Sequence, residues 1–295
     1  MSSARLIDGK VISAQIHSET KARTLALREK GITPGITFVR VGEDPASRAY
    51  VRMKSTKADE LAIRSETVVL KETAPQAELL ELIDSLNGNP QVHGILVQAP
   101  LPRHLKEDEI FSAIDFRKDV DGFHPVNVGK LLLGQNPLFK PCTPAGVHEL
   151  LIRSDAPING AEVVILGRGN IVGKPMAAIL MQKDKNADAT VTVLHSRSRQ
   201  IAEHCRRADI LIAAMGQALF VKADMVKPGA VVIDVGVNRV DDPTAKNGYR
   251  LVGDVDFEEV SQVAGAITPN PGGVGPMTIA MLLSNTVRAA EMASA

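Results

Sequence analysis

The stretch VVILGRGNIVGKPMA, from Val163 to Ala177, joins an apolar β-branched segment to Gly-Arg-Gly and then to a predicted helix. This order predicts a strand–turn–helix unit in which backbone N–H groups and the helix dipole receive a phosphate. Gly167 and Gly169 permit a tight turn and close approach of a ligand, and Gly173 lets the helix pack on the sheet. The third glycine comes one residue later than in the common dinucleotide fingerprint. A turn that needs glycine only for its shape is the alternative.

The next predicted strand ends without the acidic residue that an NAD site places about 20 residues after its glycines. Its end carries His195, Ser196 and Arg197, while Arg168 lies in the glycine turn itself. Hydroxyl and guanidinium groups suit a 2′-phosphate, which favours NADP over NAD. Arginines on a solvated surface are the alternative.

Strand-like and helix-like segments alternate along the 295 residues, which predicts an α/β protein with two domains. In the second half, the strands EVVILG, ATVTVLH, DILIAAMG and AVVIDVG predict a doubly wound parallel sheet, and a helix is expected to start at Thr143. In the first half we expect strands at GITFVRV, TVVL and VHGILVQ, and helices from about Ser47 to Leu61 and through PQAELLELIDSLNG. The last predicted helix, GPMTIAMLLSNTVRAAEMA, is expected to fold back onto the first domain.

Charge and composition argue against several classes of partner. Lys and Arg balance Asp and Glu at 34 each, there is no Trp, and aromatic residues make up 3%. We therefore expect no nucleic-acid partner. The most apolar stretch, from Ile210 to Val221, is too short to span a bilayer, and the N-terminus lacks a signal-peptide core. Cys142 and Cys205 show no metal-ligand spacing, so we expect reduced thiols, no metal and a cytoplasmic protein without a membrane partner.

The segment PASRAYVRMK places Ser47, Tyr50 and Lys54 at helical steps of three and four, so all three project from one face. A tyrosine offers a flat surface for an aromatic ligand and a hydroxyl group. A lysine can act as a general base only if burial or its neighbours keep it neutral. A Tyr and a Lys on a solvated helix face are the alternative.

Three further positions fall where ligands bind to such sheets. Gln98 closes a strand before APLP, where an amide can orient the lysine or a water. Asp121 can accept hydrogen bonds from a cyclic amidine, although an aspartate before Gly122 can also cap a turn. The loop PNPGGVGP is expected to approach a ligand with its backbone, unless it is only a sharp return between domains.

Taken together, these motifs resemble the bifunctional methylenetetrahydrofolate dehydrogenase/methenyltetrahydrofolate cyclohydrolase family. The matching segments span nearly the whole chain in the family's order. They are VGEDPASRAYVRMK, GILVQAPLP, KDVDGFHPVNVGKL, PCTPAGV, GRGNIVGKPMA, HSRS, VIDVGVN, GDVDF and TPNPGGVGPMTIAML.

The resemblance implies a small α/β folate-binding domain, residues 1–140 completed by the helix 276–295, and a Rossmann-type NADP-binding domain, residues 141–275, with a cleft between them. It implies oxidation of 5,10-methylenetetrahydrofolate by hydride transfer to NADP⁺, then hydrolysis of the methenyl cation to 10-formyltetrahydrofolate. It also implies tetrahydrofolate derivatives as substrates, a homodimer without metal, and a role in one-carbon metabolism and purine biosynthesis.

The resemblance also implies roles for individual residues. Tyr50 would stack on the aminobenzoate ring, Asp121 would bind the pterin, and Lys54 would activate water for hydrolysis with Gln98 tuning it. Further substrate-binding positions are Ser47, Pro271, Gly272 and Gly273. The cofactor-binding positions are Gly167, Arg168, Gly169, Ile171, Gly173, Ser196, Arg197 and Thr278, with Arg168 and Ser196 at the 2′-phosphate.

The chain departs from the family's usual pattern at three positions. Gly169 stands where serine is usual, Ala99 replaces leucine in QAPLP, and Asn270 stands where valine is common. The first departure removes a hydroxyl near the phosphates, and the other two border the folate site. The alternative functions are a dehydrogenase of another small substrate and a non-catalytic dinucleotide-binding protein.

Overall fold

The computed structural model describes residues 4–245 and 248–294, which form two compact α/β units. One unit contains the segment that ends at Ser13 together with Leu131–Gly134 and Thr143–Thr278. The other contains Ala14–Lys130, Gln135–Cys142 and the segment that begins at Ile279. The predicted fold class, a two-domain α/β protein, is confirmed.

The first unit is built on a six-stranded parallel sheet. In chain order its strands are β1 (Arg5–Leu6), β5 (Glu162–Leu166), β6 (Thr190–Leu194), β7 (Ile210–Ala213), β8 (Val231–Asp234) and β11 (Ala266–Ile267). Their spatial order is β1-β11-β8-β7-β5-β6. Strand β6 pairs with one edge of β5, and β7, which comes later in the chain, pairs with its other edge. The order therefore reverses beside β5, which is the point where doubly wound sheets bind ligands.

The second unit is built on a three-stranded parallel sheet in the order β3-β2-β4, from β2 (Gly35–Val41), β3 (Arg64–Leu70) and β4 (Gly94–Val97). Every residue of β2 is buried, as expected for a central strand covered on both faces. Ile36 and Phe38 contribute to one apolar core, and Val39 and Val41 contribute to another on the opposite face. This sheet therefore has a covered layer on each side.

The helices and the remaining strands complete the two units. The helices are α1 (Gly9–Glu29), α2 (Pro45–Glu60), α3 (Gln76–Gly88), α4 (Glu107–Ala113), α5 (Pro125–Leu132), α6 (Cys142–Arg153), α7 (Gly173–Leu180), α8 (Ile201–Cys205), α9 (Phe257–Val260) and α10 (Val274–Ala293). Strands β9 (Asn238–Asp241) and β10 (Tyr249–Val252) pair as an antiparallel ribbon. Among the described residues, none of the helices is both long and apolar enough to cross a membrane.

The strand predicted at Gly35–Val41 has the bounds expected from its sequence, and the other predicted strands and helices differ by a few residues at their ends. Helix α6 begins at Cys142, one residue before the expected start. The Thr143 hydroxyl, expected to cap α6, instead lies 3.0 Å from that of Thr278. Helix α1 was not predicted from the sequence, because polar residues at Ser13, Thr20 and Thr24 occupy its buried face and hide its helical spacing.

Candidate active site

Helix α2 turns Lys54 into the interior of the second unit. Asp44 caps the helix, its carboxylate accepting the N–H of Ser47 at 2.7 Å, and Pro45 occupies the first turn. The buried face of the helix is formed by Ser47, Val51, Lys54 and Ala58. Tyr50 lies at the edge of that face and is 46% exposed. The two side chains therefore differ in their surroundings although both belong to α2.

Lys54 is a buried residue rather than part of a solvated helix face. The residue is only 9% exposed, and its Nζ donates a hydrogen bond of 2.9 Å to Oε1 of Gln98. Burial lowers the pKa of Lys54 because it penalises the ammonium form, while the negative charge of Asp121 acts in the opposite direction. This environment moves Lys54 towards the neutral amine that a general base requires.

Gln98 is held at the end of β4 with its amide oxygen towards Lys54. Its backbone N–H donates to the carbonyl of Val39 at 2.8 Å, and its Nε2 donates to the carbonyl of Ala99 at 2.6 Å. The second bond fixes which end of the amide faces the lysine. The peptide bond that follows, between Ala99 and Pro100, is cis.

Asp121 and Cys142 lie beside Lys54 in the same unit. Cys142 donates its backbone N–H to the carbonyl of Asp121 at 3.1 Å, and its Sγ donates to the carbonyl of Val120 at 3.2 Å. Burial raises the pKa of Asp121, and the positive charge of Lys54 partly offsets this. Burial also raises the pKa of the Cys142 thiol well above its usual range, so Cys142 is a neutral hydrogen-bonding group here.

The turn after Asp121 is capped by Asp119 and not by Asp121. The carboxylate of Asp119 accepts backbone N–H groups of Gly122, Phe123 and His124 at 3.2, 3.2 and 2.8 Å. Burial raises the pKa of Asp119 to about 6. Asp121 is thereby left for the contacts with Lys54 and Cys142. No role was predicted for Asp119, although an aspartate three residues before a glycine is typical of a turn cap.

The glycine turn of the first unit follows β5 and leads into α7. A side chain at Gly167, whose φ is 121°, would place its Cβ 2.1 Å from the carbonyl oxygen of Ala214. A Cβ at Gly173 would lie 2.0 Å from the carbonyl oxygen of Gly167. Both glycines are thus required by the shape of the turn. A Cβ at Gly169 would meet no atom within 4 Å, so this side of the turn is open to a ligand.

The candidate 2′-phosphate residues emerge at the same edge of the six-stranded sheet. Leu166 at the end of β5 pairs with Leu194 at the end of β6, and Gly167 donates its N–H to the carbonyl of Leu194 at 2.8 Å. Arg168 follows the first strand end and Ser196 the second, and both are exposed. In residues 4–245 and 248–294, no carboxylate lies within ion-pair distance of Arg168. Its charge is therefore open to an anion.

The other candidate residues divide between the two units. Ser47, Tyr50, Lys54, Gln98 and Asp121 belong to the unit with the three-stranded sheet. The cofactor candidates and the loop of Pro271, Gly272 and Gly273 belong to the unit with the six-stranded sheet. Ile171 is 61% exposed beside the glycine turn, Arg197 is exposed, and Thr278 is tied to Thr143. Across the described parts of the chain, no group of three or more His, Cys, Asp or Glu residues is arranged to hold a metal ion.

Comparison with known proteins shows which family this chain resembles. Two family profiles match: the tetrahydrofolate dehydrogenase/cyclohydrolase catalytic domain over residues 7–121, and the NAD(P)-binding domain of the same family over residues 141–294. The chain is 55% identical to the bifunctional protein FolD of Chlorobium luteolum, over 98% of this chain and 99% of that protein.

Solved structures show the same likeness in three dimensions. The bifunctional dehydrogenase/cyclohydrolase FolD of Campylobacter jejuni is 48% identical with a TM-score of 0.93, over 98% of this chain and 99% of that one. The enzyme of Trypanosoma brucei, solved with NADP cofactor and an inhibitor, is 41% identical with a TM-score of 0.94, over 100% of this chain and 99% of that one. This chain therefore belongs to the tetrahydrofolate dehydrogenase/cyclohydrolase family.

Proposed function

We propose that Lys54, Gln98 and Asp121 form the hydrolytic centre of a bifunctional enzyme. The enzyme oxidises 5,10-methylenetetrahydrofolate with NADP⁺ and hydrolyses the resulting 5,10-methenyltetrahydrofolate to 10-formyltetrahydrofolate, as membership of this family establishes. The observation that carries the residue assignment is the hydrogen bond of 2.9 Å between Nζ of the buried Lys54 and Oε1 of Gln98.

Hydrolysis requires a water molecule to lose a proton as it attacks the methenyl carbon. A neutral Lys54 accepts that proton, and burial favours this neutral form by lowering the pKa of Lys54 below that of an exposed lysine. Because Nζ donates one hydrogen to Gln98, the lone pair of the neutral amine is directed by that bond. Gln98 thus orients the base, and its uncharged amide avoids the rise in pKa that a carboxylate would cause.

Oxidation makes smaller demands on acid–base groups. The departing hydride leaves a carbon flanked by two nitrogens, whose lone pairs stabilise the cation, so positioning of the reactants is the main task of the protein. NADP⁺, when bound, supplies the hydride acceptor. The chain's own contribution is to bind and orient it through the glycine turn and the cations and hydroxyls beside that turn.

For the cofactor site, the proposal assigns the turn Gly167, Gly169 and Gly173 to the pyrophosphate, and Arg168 and Ser196 to the 2′-phosphate. The open face at Gly169 supports it, as does the guanidinium of Arg168, which makes no ion pair with any residue that the structure describes. Ile171, Arg197 and Thr278 complete the proposed contacts. Residues 141–275 form the proposed NADP-binding domain, and residues 1–140 with the helix 276–295 form the proposed folate-binding domain.

For the folate site, the proposal assigns the exposed ring of Tyr50 to stacking on the aminobenzoate and Asp121 to the pterin. The raised pKa of Asp121 supports a carboxyl group that exchanges hydrogen bonds with the pterin's amidine. Ser47 and the backbone of Pro271, Gly272 and Gly273 are the further proposed substrate contacts.

The setting of the enzyme is also a proposal. We propose a homodimer in the cytoplasm that serves one-carbon metabolism and purine biosynthesis. Cys142 and Cys205 are both buried free thiols, which fits a reducing compartment. Light scattering on the purified protein tests the dimer, and a monomer at micromolar concentration would rule it out.

A spectroscopic assay tests the whole function. Protein, NADP⁺ and methylenetetrahydrofolate are mixed, and NADPH formation is followed by its absorbance. Methenyltetrahydrofolate is then supplied alone, and its disappearance is followed against the uncatalysed rate. Both signals are expected, and the absence of NADPH with NADP⁺ together with the absence of NADH with NAD⁺ would contradict the function.

A further inference from the structure

The loops that follow β7, β8 and β11 meet at the carboxyl edge of the six-stranded sheet. A dinucleotide on a doubly wound sheet crosses the point where the strand order reverses. With the 2′-phosphate candidates on β5 and β6, the nicotinamide half falls on the side of β7 and β8. The structure of these three loops therefore decides how that half is received.

The loop after β7 is held by the buried carboxylate of Asp254, which is 1% exposed. It accepts three consecutive backbone N–H groups, those of Met215, Gly216 and Gln217, at 2.5, 2.9 and 2.9 Å. It also accepts a hydrogen bond from Nδ2 of Asn238 at 2.9 Å. Three hydrogen bonds to a charged acceptor fix the path of the loop backbone.

Asp234 packs against Gly253, the residue before Asp254, and Asp254 packs against Gly236, two residues after Asp234. Asp234 accepts the N–H groups of Gly236 and Asp254 at 3.0 and 2.9 Å. A Cβ at Gly253 would lie 1.6 Å from Oδ2 of Asp234, and one at Gly236 would lie 2.2 Å from Oδ1 of Asp254. The two glycines give room for the two carboxylates, and the loop after β8 is thus joined to that after β7.

Asn270 connects the third loop to this arrangement. Its Nδ2 donates to the carbonyl oxygen of Gly236 at 2.5 Å, and lies 2.7 Å from the place that a Cβ of Gly253 would occupy. Within β8, the N–H of Asp234 donates to Oγ1 of Thr268 at 2.8 Å. The amide of Asn270 therefore ties the loop after β11 to the loop after β8 and fills the space beside Gly253.

We propose that Asn270 is a positioning residue for the nicotinamide half of NADP⁺. It holds Gly236 and, through Asp234 and Asp254, the backbone of Met215–Gln217 in the arrangement that receives this half. The inference rests on the proposed cofactor site. It concerns a residue that follows β11, whereas Arg168 follows β5, where the strand order reverses. Loops that are already ordered lose less conformational freedom on binding. The protein therefore binds the whole cofactor more tightly than it would if these loops had to become ordered on binding.

The test compares NADP⁺ with adenosine 2′,5′-bisphosphate, a fragment that carries the 2′-phosphate and lacks the nicotinamide half. The dissociation constants of both ligands are measured by calorimetry on wild type, Asn270→Leu and Asn270→Ser, with thermal unfolding of each. Loss of one hydrogen bond of ordinary strength predicts an increase of about fivefold in the Kd of NADP⁺. The Kd of the fragment is expected to stay within about twofold, since its contacts lie on β5 and β6.

Two controls separate positioning from general damage. Asn87→Leu removes the hydrogen bond from Nδ2 of Asn87 to the Ala113 carbonyl at 2.8 Å, and the one that its Oδ1 accepts from Asp115. Both lie in the other unit, so this variant should change neither Kd. Arg168→Ala should weaken both ligands. An unchanged Kd for NADP⁺ in both Asn270 variants, or an equal weakening of both ligands, would overturn the inference. Wild-type protein that binds neither ligand would instead overturn the proposed cofactor site.

Discussion

The ammonium Nζ of Lys54 lies 2.9 Å from the amide oxygen of Gln98, although the two residues are 44 positions apart in the sequence. One is on the buried face of α2 and the other directly follows β4. The bond therefore depends on the packing of a helix against a sheet edge. It places the candidate base beside an uncharged acceptor, which keeps the lysine's pKa from being raised by a carboxylate in direct contact.

Replacement of Lys54 by methionine is expected to abolish most of the cyclohydrolase activity. Loss of a general base typically lowers a rate by about 10²–10⁴-fold, whereas hydride transfer relies on positioning and should retain more of its rate. Both activities are measured on the same preparation of Lys54→Met. Lys57→Met is the matched control, because Lys57 is on the same helix but pairs with Glu60. Full hydrolysis by Lys54→Met would refute the assignment.

The cyclohydrolase rate is expected to rise with pH as Lys54 loses its proton. Burial lowers the pKa of Lys54 from 10.5, so the rise should be centred below that value. The sign follows from the charge: the folded protein disfavours the ammonium form, and the active form is the neutral amine. The measurement is kcat/KM for methenyltetrahydrofolate against pH, corrected for uncatalysed hydrolysis. A flat profile that Lys54→Met leaves unchanged would contradict the prediction.

Gln98→Glu should shift the midpoint of that pH profile to higher pH. A carboxylate at hydrogen-bond distance favours the ammonium form of Lys54 and raises its pKa, so hydrolysis at neutral pH should fall. Gln98→Leu is the comparison, since it removes the hydrogen bond without adding a charge. A profile displaced in Gln98→Glu and not in Gln98→Leu supports the electrostatic explanation. Equal displacement in both variants would point to lost orientation instead.

Much of the fold could be predicted because its elements carry local signals. The strand Gly35–Val41 is rich in β-branched and aromatic residues, and the glycines of the turn after β5 mark a strand-to-helix junction. Helix α1 was not predicted, because Ser13, Thr20 and Thr24 lie on its buried face and interrupt the apolar pattern there. The short strands β1 and β11 are only two residues each and depend on pairing with their neighbours.

The candidate site was predictable in its residue types but not in its contacts. The spacing of Ser47, Tyr50 and Lys54 places them near one face, yet burial of Lys54 and exposure of Tyr50 depend on how α2 packs in the unit. That Asp119 and not Asp121 caps the turn depends on the path of the backbone between them. The contact between Cys142 and Asp121 joins residues that no local pattern relates.

Arg168→Ala is expected to reduce the preference for NADP⁺. A charge-assisted hydrogen bond to a phosphate is worth about 1.5–3 kcal/mol, which corresponds to an increase of roughly 10–100-fold in the KM for NADP⁺. The KM for NAD⁺, which lacks the 2′-phosphate, should change little. Initial rates with both cofactors are measured for wild type, Arg168→Ala and the control Lys185→Ala, an exposed residue after α7. Equal changes for both cofactors would argue against a 2′-phosphate contact.

Substitutions at two glycines of the same turn should differ in their effect on the stability of the protein. Gly169→Ser is expected to fold as stably as wild type, since its Cβ meets no atom within 4 Å, and to bind NADP⁺ more tightly through the added hydroxyl. Gly173→Ala places a methyl group 2.0 Å from the carbonyl oxygen of Gly167, so the turn or α7 must move. Overpacking of this kind costs about 1–3 kcal/mol. Urea unfolding and NADP⁺ titration of both variants check the contrast. A destabilised Gly169→Ser, or a Gly173→Ala as stable as wild type, would show that the turn is arranged differently from the one described.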